Sequence, residues 1–477
     1  MTQVVIIGYG MAGARLASEL SAADLDVTVL GSEAHPAYNR ILLSSVLAGK
    51  HREADIVLGE TASHGVKALT QVTVVSIDRD AQQVLTDDGQ RFSYDHLVLA
   101  TGSQAFVPPL AGLDPARLPD RVAVFRSLDD CRRIIEVADG ARSAMVLGGG
   151  LLGLEAARGL ISRGLEVEVL HGAGHLMERQ LDPGASTVLV RTLADLGIAT
   201  RLGVGAVGAV ADDDGVTVTL SDGSELRTEL LVLSCGVKPE TSLAVSAGLE
   251  VDRGIVVDAG LRTSDPRIFA LGDCAQFDGV VGGLVAPAWD QAKVVSAQLS
   301  GQDPHATYVP TPPVTRLKAS GIDLAAMGQL LPNSTDEDLS FADPARGTYA
   351  RLLIRGDRLA GAVLLGDNPS VGMVIQLFDR GGPVPQDRRT LLLGRAIGGA
   401  AIANTDSPAL MPDPVTVCQC NTVSKGTLVR SWRGGARSLE EIVAQTRATT
   451  GCGSCKDAVC GIVKWLADSD ATVGAAA

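Results

Sequence analysis

The chain has 477 residues, 46% hydrophobic and only 3% aromatic, with a formal net charge of −14 at pH 7. At about 150 residues per domain this length implies several domains, and the composition favours an α/β protein over an aromatic-rich sandwich. The negative charge is spread along the chain, which disfavours a nucleic acid partner, and no stretch supplies the roughly 18 apolar residues of a membrane span.

Residues 4–7, Val-Val-Ile-Ile, run straight into glycines with no basic region before them, which predicts a first strand rather than a signal peptide. Gly8, Gly10 and Gly13 follow in the G-x-G-x-x-G pattern and open an amphipathic helix. Such glycines permit a tight turn and the close approach of a pyrophosphate to free helix N–H groups. Glu33 lies twenty residues after Gly13, at the end of the next predicted strand. Its carboxylate is placed to accept hydrogen bonds from a ribose diol.

The arrangement recurs at Gly148, Gly150 and Gly153, followed by a helix and the strand Glu-Val-Glu-Val-Leu. Segments 87–102 and 221–236 also match, at a constant offset of 134 residues. In each, an Asp-Gly hairpin signal leads through polar residues into a buried strand and then a glycine. Two copies of one nucleotide-binding design predict two dinucleotides, a bound flavin and an exchangeable nicotinamide cofactor.

Three segments carry a family resemblance. Residues 262–276, containing Gly272 and Asp273, resemble the segment that closes over the ribityl chain in two-dinucleotide flavoprotein reductases, and Ala-Thr-Gly-Ser at 100–103 resembles their second FAD motif. Residues 37–50, Ala-Tyr-Asn-Arg through Lys50, resemble the flavin-side segment of the rubredoxin reductase and nitrite reductase branch. The resemblance implies that the first copy binds FAD, with Thr101 and Gly102 in the second motif and Arg40 near the flavin pyrophosphate or ring. It further implies Lys50 nearby and a backbone contact to adenine near Val74. The second copy would hold NADH or NADPH, with Glu155 at the nicotinamide end. Its strand ends at His171, without a carboxylate at the position corresponding to Glu33. His171, His175 and Arg179 either suit a 2′-phosphate or are solvated loop residues, so the choice of dinucleotide stays open.

No thiol pair follows Glu33 or lies in the second copy, and Cys131, Cys235 and Cys274 stand alone, as small buried residues do. Electrons from the flavin therefore need another exit. Residues 306–395 contain a hairpin signal around Gly356-Asp357 and resemble the third domain of rubredoxin reductase relatives, which covers the flavin or forms a dimer contact.

Five of the eight cysteines fall between 418 and 460. Cys418 and Cys420 form C-x-C, Cys452 and Cys455 form C-x-x-C, and 31 residues separate the pairs. Helices are predicted after Ser424, after Ser438 with Glu441 as a capping box, and from Lys456 onward. Eight cysteines are too few for a disulfide scaffold, and a reducing cytoplasm is the expected compartment. Four thiolates hold either zinc or a 2Fe-2S cluster, and only the cluster accepts electrons from a flavin. Cys460 is expected to be a bystander.

The pattern closely resembles the bacterioferritin-associated ferredoxin-like 2Fe-2S domain, and together with the segments at 37–40 and 270–276 and residues 176–182, Leu-Met-Glu-Arg-Gln-Leu-Asp, the resemblance to FAD-containing electron-transfer subunits of assimilatory nitrate reductases covers nearly the whole chain. That resemblance implies a molybdenum-containing nitrate reductase catalytic subunit as acceptor. The alternatives are an NAD(P)H:ferredoxin or nitrite reductase component, and a zinc-bound docking element. The expected fold is α/β, with two Rossmann-like dinucleotide-binding domains in a two-dinucleotide flavoprotein arrangement. Their limits are 1–112 with 241–305 for FAD and 113–240 for NAD(P); an α+β domain (306–395), a linker (396–414) and a small helical iron-sulfur domain (415–468) follow.

Overall fold

The computed structural model describes residues 1–58, 66–312, 314–317, 321–368, 370–393, 408–409, 411–418, 423–450 and 455–474. A five-stranded parallel sheet orders Ile268–Ala270, His96–Leu99, Thr2–Ile7, Leu25–Leu30 and Val66–Leu69. A second parallel sheet orders Val122–Val124, Leu230–Leu233, Ser143–Leu147, Glu166–His171 and Ile198–Leu202. Their central strands read as nearly unbroken apolar runs because both faces of a parallel sheet are covered. Val4, Ile6, Leu97 and Val98 are buried in one sheet, and Val146, Val169, Leu231 and Val232 in the other.

The 134-residue repeat is realised as structure. The strands Gln83–Thr86 and Arg91–Ser93 form a hairpin beside the first sheet, and Val216–Leu220 and Glu225–Thr228 form its counterpart beside the second. One strand breaks the symmetry. The first sheet takes its outer strand from Ile268–Ala270, after the second unit, whereas the second takes Val122–Val124 from before its own glycine turn. The second unit is thus inserted into the first. At the junction, Ser103–Ala105 pairs antiparallel with Val237–Pro239.

Each glycine turn is a close-packing device. Gly8 has φ +113° and Gly148 φ +124°, conformations that disfavour side chains. A methyl group at Gly13 would overlap the Gly8 carbonyl oxygen, and one at Gly153 would overlap that of Gly148. The helices Met11–Leu20 and Leu151–Ser162 can therefore start directly against the strand ends.

Beyond the two units, an antiparallel sheet orders Val314–Leu317, Leu324–Gly328, Arg358–Leu365, Thr348–Arg355 and Asp336–Asp343, with the predicted hairpin turning at Gly356-Asp357. The helix Val371–Arg380 shares its core. Tyr349 donates to Asp182 Oδ1 at 2.9 Å and ties this sheet to the second unit.

The C-terminal module comprises strands Thr416–Cys418 and Val423–Ser424 and helices Lys425–Arg433, Leu439–Thr446 and Lys456–Gly474. The Ser438 hydroxyl caps the middle helix through Glu441 N–H at 3.1 Å. The return half of the expected capping box is displaced by one residue, since Glu441 accepts from Arg437 N–H rather than from Ser438. No described helix is long and apolar enough to cross a membrane.

Gly13→Ala and Gly153→Ala should each destabilise the chain by about 3 kcal/mol, the upper range of core overpacking, because a backbone carbonyl cannot rotate aside like a side chain. Thermal unfolding of the two variants measures this, and wild-type midpoints would show that the helices can lift off their strands.

Candidate functional site

A cavity of about 960 Å³ lies between the two units. The first unit lines it with Gly8, Gly10, Glu33, Arg40, Thr101 and Asp273, among others, and the second unit with Leu151, Leu152 and Glu155. Thr315 and Arg316 of the antiparallel sheet and Thr416 of the C-terminal module complete parts of its wall. Gly102 and Gly272 also face it. Among the described lining residues there is no cysteine.

The helix Met11–Leu20 starts at Gly10 with no side-chain cap. A methyl group at Gly10 would meet nothing nearer than Arg40 at 3.9 Å, so the helix start opens onto free space. Uncapped N–H groups and the positive end of the helix dipole suit a pyrophosphate there. The Glu33 carboxylate is held by a Tyr38 hydroxyl bond of 2.7 Å and by an ion pair with Arg40. Tyr38 in turn accepts Leu128 N–H at 2.9 Å, and burial pushes its phenol pKa up. A dinucleotide with its acidic ribose partner, phosphate-binding turn and neighbouring cation fits this cradle.

Asp273 is engaged by Ser103, the last residue of the Ala-Thr-Gly-Ser segment, and by Arg126, which sequence reasoning missed. Arg126 Nη2 donates to its Oδ2 at 2.7 Å, and Ser103 donates to the same oxygen at 2.9 Å. Arg126 also bonds the Ser103 hydroxyl at 2.6 Å. Arg126 precedes only a helix cap, Ser127, and carries no local signal. Thr101 is fixed by a 2.6 Å bond to the Glu240 carbonyl at the junction of the units.

In the second unit the helix Leu151–Ser162 also starts without a side-chain cap, and space is open around Gly150. Glu155 is buried on its cavity side. At the strand end, His171 Nδ1 accepts Gly149 N–H at 3.1 Å, and its Nε2 lies 3.0 Å from Glu178 Oε2. Gly149 N–H is necessarily the donor, which leaves the ring proton on Nε2 to be donated to Glu178. Arg179 is exposed, and His175 Nε2 faces the Leu181 carbonyl at 3.3 Å.

Of the expected contacts, Gly13, Gly148, Gly150, Gly153, His171 and Arg179 do not line the cavity, and Lys50 and Val74 stand further apart from its wall. Lys50 is exposed past the short helix Leu43–Leu47, and Val74 is buried in a strand of the outlying hairpin sheet. The isolated cysteines point inward. Cys131, Cys235 and Cys274 each donate to a backbone carbonyl, of Leu43, Leu147 and Leu99 respectively. Burial pushes the Cys131 thiol up to about 12 and the Cys235 thiol up to about 11, far from thiolate chemistry.

Cys418 and Cys455 are buried in one apolar cluster with Leu428, Trp432 and Ile442. Cys420 and Cys452 lie outside the described residues. Soft sulfur donors brought to one small core suit an iron-sulfur cluster or zinc.

Comparison with known proteins bears on each part. Residues 2–298 match the model of the pyridine nucleotide-disulphide oxidoreductases, residues 313–376 that of the rubredoxin NAD+ reductase C-terminal domain, and residues 416–465 that of the BFD-like 2Fe-2S binding domain. The assimilatory nitrate reductase electron transfer subunit of Bacillus subtilis (strain 168) is 35% identical over 98% of this chain, which spans 60% of that protein. The NAD(P)H nitrite reductase of the same organism is 34% identical over 98% of this chain, which spans 58% of it. Among solved structures, the covalent putidaredoxin reductase-putidaredoxin complex superposes with a TM-score of 0.73 at 28% identity, covering 82% of this chain and 95% of that one. The chain belongs to the pyridine nucleotide-disulphide oxidoreductase family, with FAD and NAD(P)H as its cofactors, and carries a C-terminal BFD-like 2Fe-2S domain.

Proposed function

We propose that the chain draws electrons from a reduced nicotinamide dinucleotide and delivers them singly to a separate protein, the catalytic subunit of an assimilatory nitrate reductase. The observation that carries this reading is the shared cavity. Both dinucleotide units and Thr416, two residues before Cys418, line the same space. The bound groups would supply hydride acceptance at FAD and one-electron carriage at the 2Fe-2S cluster. The chain's own contribution is positioning. Gly8, Gly10, Gly13, Glu33, Arg40, Thr101, Gly102, Gly272 and Asp273 hold FAD in this reading, with Arg126 and Ser103 orienting Asp273. Gly148, Gly150, Gly153 and Glu155 hold the nicotinamide dinucleotide, and Cys418, Cys420, Cys452 and Cys455 hold the cluster. A nitrite-reducing acceptor is the second reading, favoured by the 34% identity to a nitrite reductase over the same span.

The reading extends to dinucleotide choice. His171 is already engaged on both ring nitrogens, and the carboxylate missing from the strand end is replaced by Glu178 beside it. A carboxylate there accepts from a ribose diol and repels a 2′-phosphate, which favours NADH.

Iron and acid-labile sulfide analysis with an anaerobic EPR spectrum after dithionite tests the electron exit. An iron-sulfur signal is expected, and zinc without iron would sink the proposal. Cys418→Ser should still let NADH bleach the flavin while acceptor reduction falls to background; equal loss of both would instead indicate a folding role. Comparing nitrate- with nitrite-dependent NADH oxidation, using purified acceptors, decides between the two partners. For dinucleotide choice, calorimetry should find ADP-ribose bound about tenfold or more tightly than its 2′-phosphorylated form, with Glu178→Gln narrowing the gap. Tighter binding of the phosphorylated compound would restore the phosphate-attracting role of His171 and Arg179.

A further inference from the structure

The C-terminal module rests on the first unit through polar contacts that lie just before its second cysteine pair. Asn39 Nδ2 donates to the Thr450 carbonyl at 2.9 Å, and Thr450 lies two residues before Cys452. Arg447 Nη1 donates to Ser18 Oγ at 3.2 Å, on the helix whose start opens onto the cavity. On the other side of the module, Thr416 borders the cavity two residues before Cys418.

Both partners of this seat are also held in shape by contacts of their own. Asn39 is 2% exposed, and its Oδ1 accepts Ile41 N–H at 3.1 Å, which caps the turn carrying Arg40 into the cavity wall. On the module, Arg447 and Thr449 have φ values of 59° and 70°, a left-handed conformation that costs side-chain-bearing residues. The turn is held by the Thr450 hydroxyl on the Arg447 carbonyl at 2.8 Å and by Ala448 N–H on the Thr446 hydroxyl at 3.2 Å. Burial and the neighbouring Arg15 lower the Arg447 pKa, and Glu19 opposes them. Strain and a desolvated cation persist where surrounding structure gains from them.

We infer that Asn39 and Arg447 form a latch that seats the metal-binding end of the module against the flavin cavity, making Asn39 a positioning residue for electron transfer out of the flavin. The inference rests on the electron-exit reading above. It assigns the two functions of Asn39 to different atoms: Oδ1 shapes the flavin-side turn, and Nδ2 holds the module.

Asn39→Asp separates them, since a carboxylate keeps the oxygen that caps Ile41 but faces the Thr450 carbonyl with a second acceptor in place of a donor. The full chain with its cofactors is reduced anaerobically by NADH in a stopped-flow spectrometer. Amide hydrogen exchange across 447–450 should quicken, and reduction of the cluster should slow about tenfold, the effect of losing one buried hydrogen bond on the seated population. Arg447→Met, which keeps an apolar stem and lies on the module rather than in the flavin cradle, should act in the same direction with flavin bleaching, FAD content and iron content matching the wild type. Wild-type cluster reduction and exchange in both variants would overturn the latch, as would loss of FAD from Asn39→Asp. The exchange measurement reads the seat itself, so a chain without iron would sink the electron-exit reading and leave the latch to be judged on its own.

Discussion

A helix can present its first N–H groups to a dinucleotide only if nothing larger than hydrogen separates it from the strand before it. Gly13 and Gly153 meet that condition in the two units, each lying where a methyl group would overlap the carbonyl oxygen of the glycine that ends the strand. With the helices seated this low, their uncapped starts at Gly10 and Gly150 are left open to a ligand. Much of the remaining architecture aims these two helix starts at a common space. The insertion of one unit into the other does this, because the chain leaves the first sheet at Leu99, builds the second, and returns to the first at Ile268.

The cavity between the units is assembled from charged groups that restrain one another. Arg40 and Tyr38 hold Glu33, and Arg126 and Ser103 hold Asp273. Preorganised groups of this kind cost no reordering when a ligand arrives, which is how a protein scaffold contributes to chemistry carried by a cofactor. The three isolated thiols are withdrawn from this space and spent on packing, while Cys418 and Cys455 are buried together in the apolar core of the C-terminal module.

Much of the fold was legible from short-range pattern. The 134-residue repeat became two hairpin sheets, the apolar runs became parallel strands, and Ser424 and Ser438 cap helices of the module as their sequence contexts indicate. Legibility failed where a residue acts at a distance. Arg126 meets Asp273 across 147 residues, and Asn39 meets Thr450 across 411. His171, expected either to suit a 2′-phosphate or to be a solvated loop residue, has its ring bonded to the glycine turn and to Glu178, a pairing that no local pattern encodes.

By itself the sequence determined the two glycine turns, the order of strand and helix around them, and the spacing of four cysteines. These are local matters, decided by steric limits on φ and by the chemistry of neighbouring side chains. Only the tertiary structure decided which polar groups share the cavity, which carboxylate stands at the end of the second unit's strand, and where the cysteine module sits. Those depend on convergence of segments far apart in the chain, and no local pattern encodes which of many surface arginines or asparagines will be brought opposite a partner.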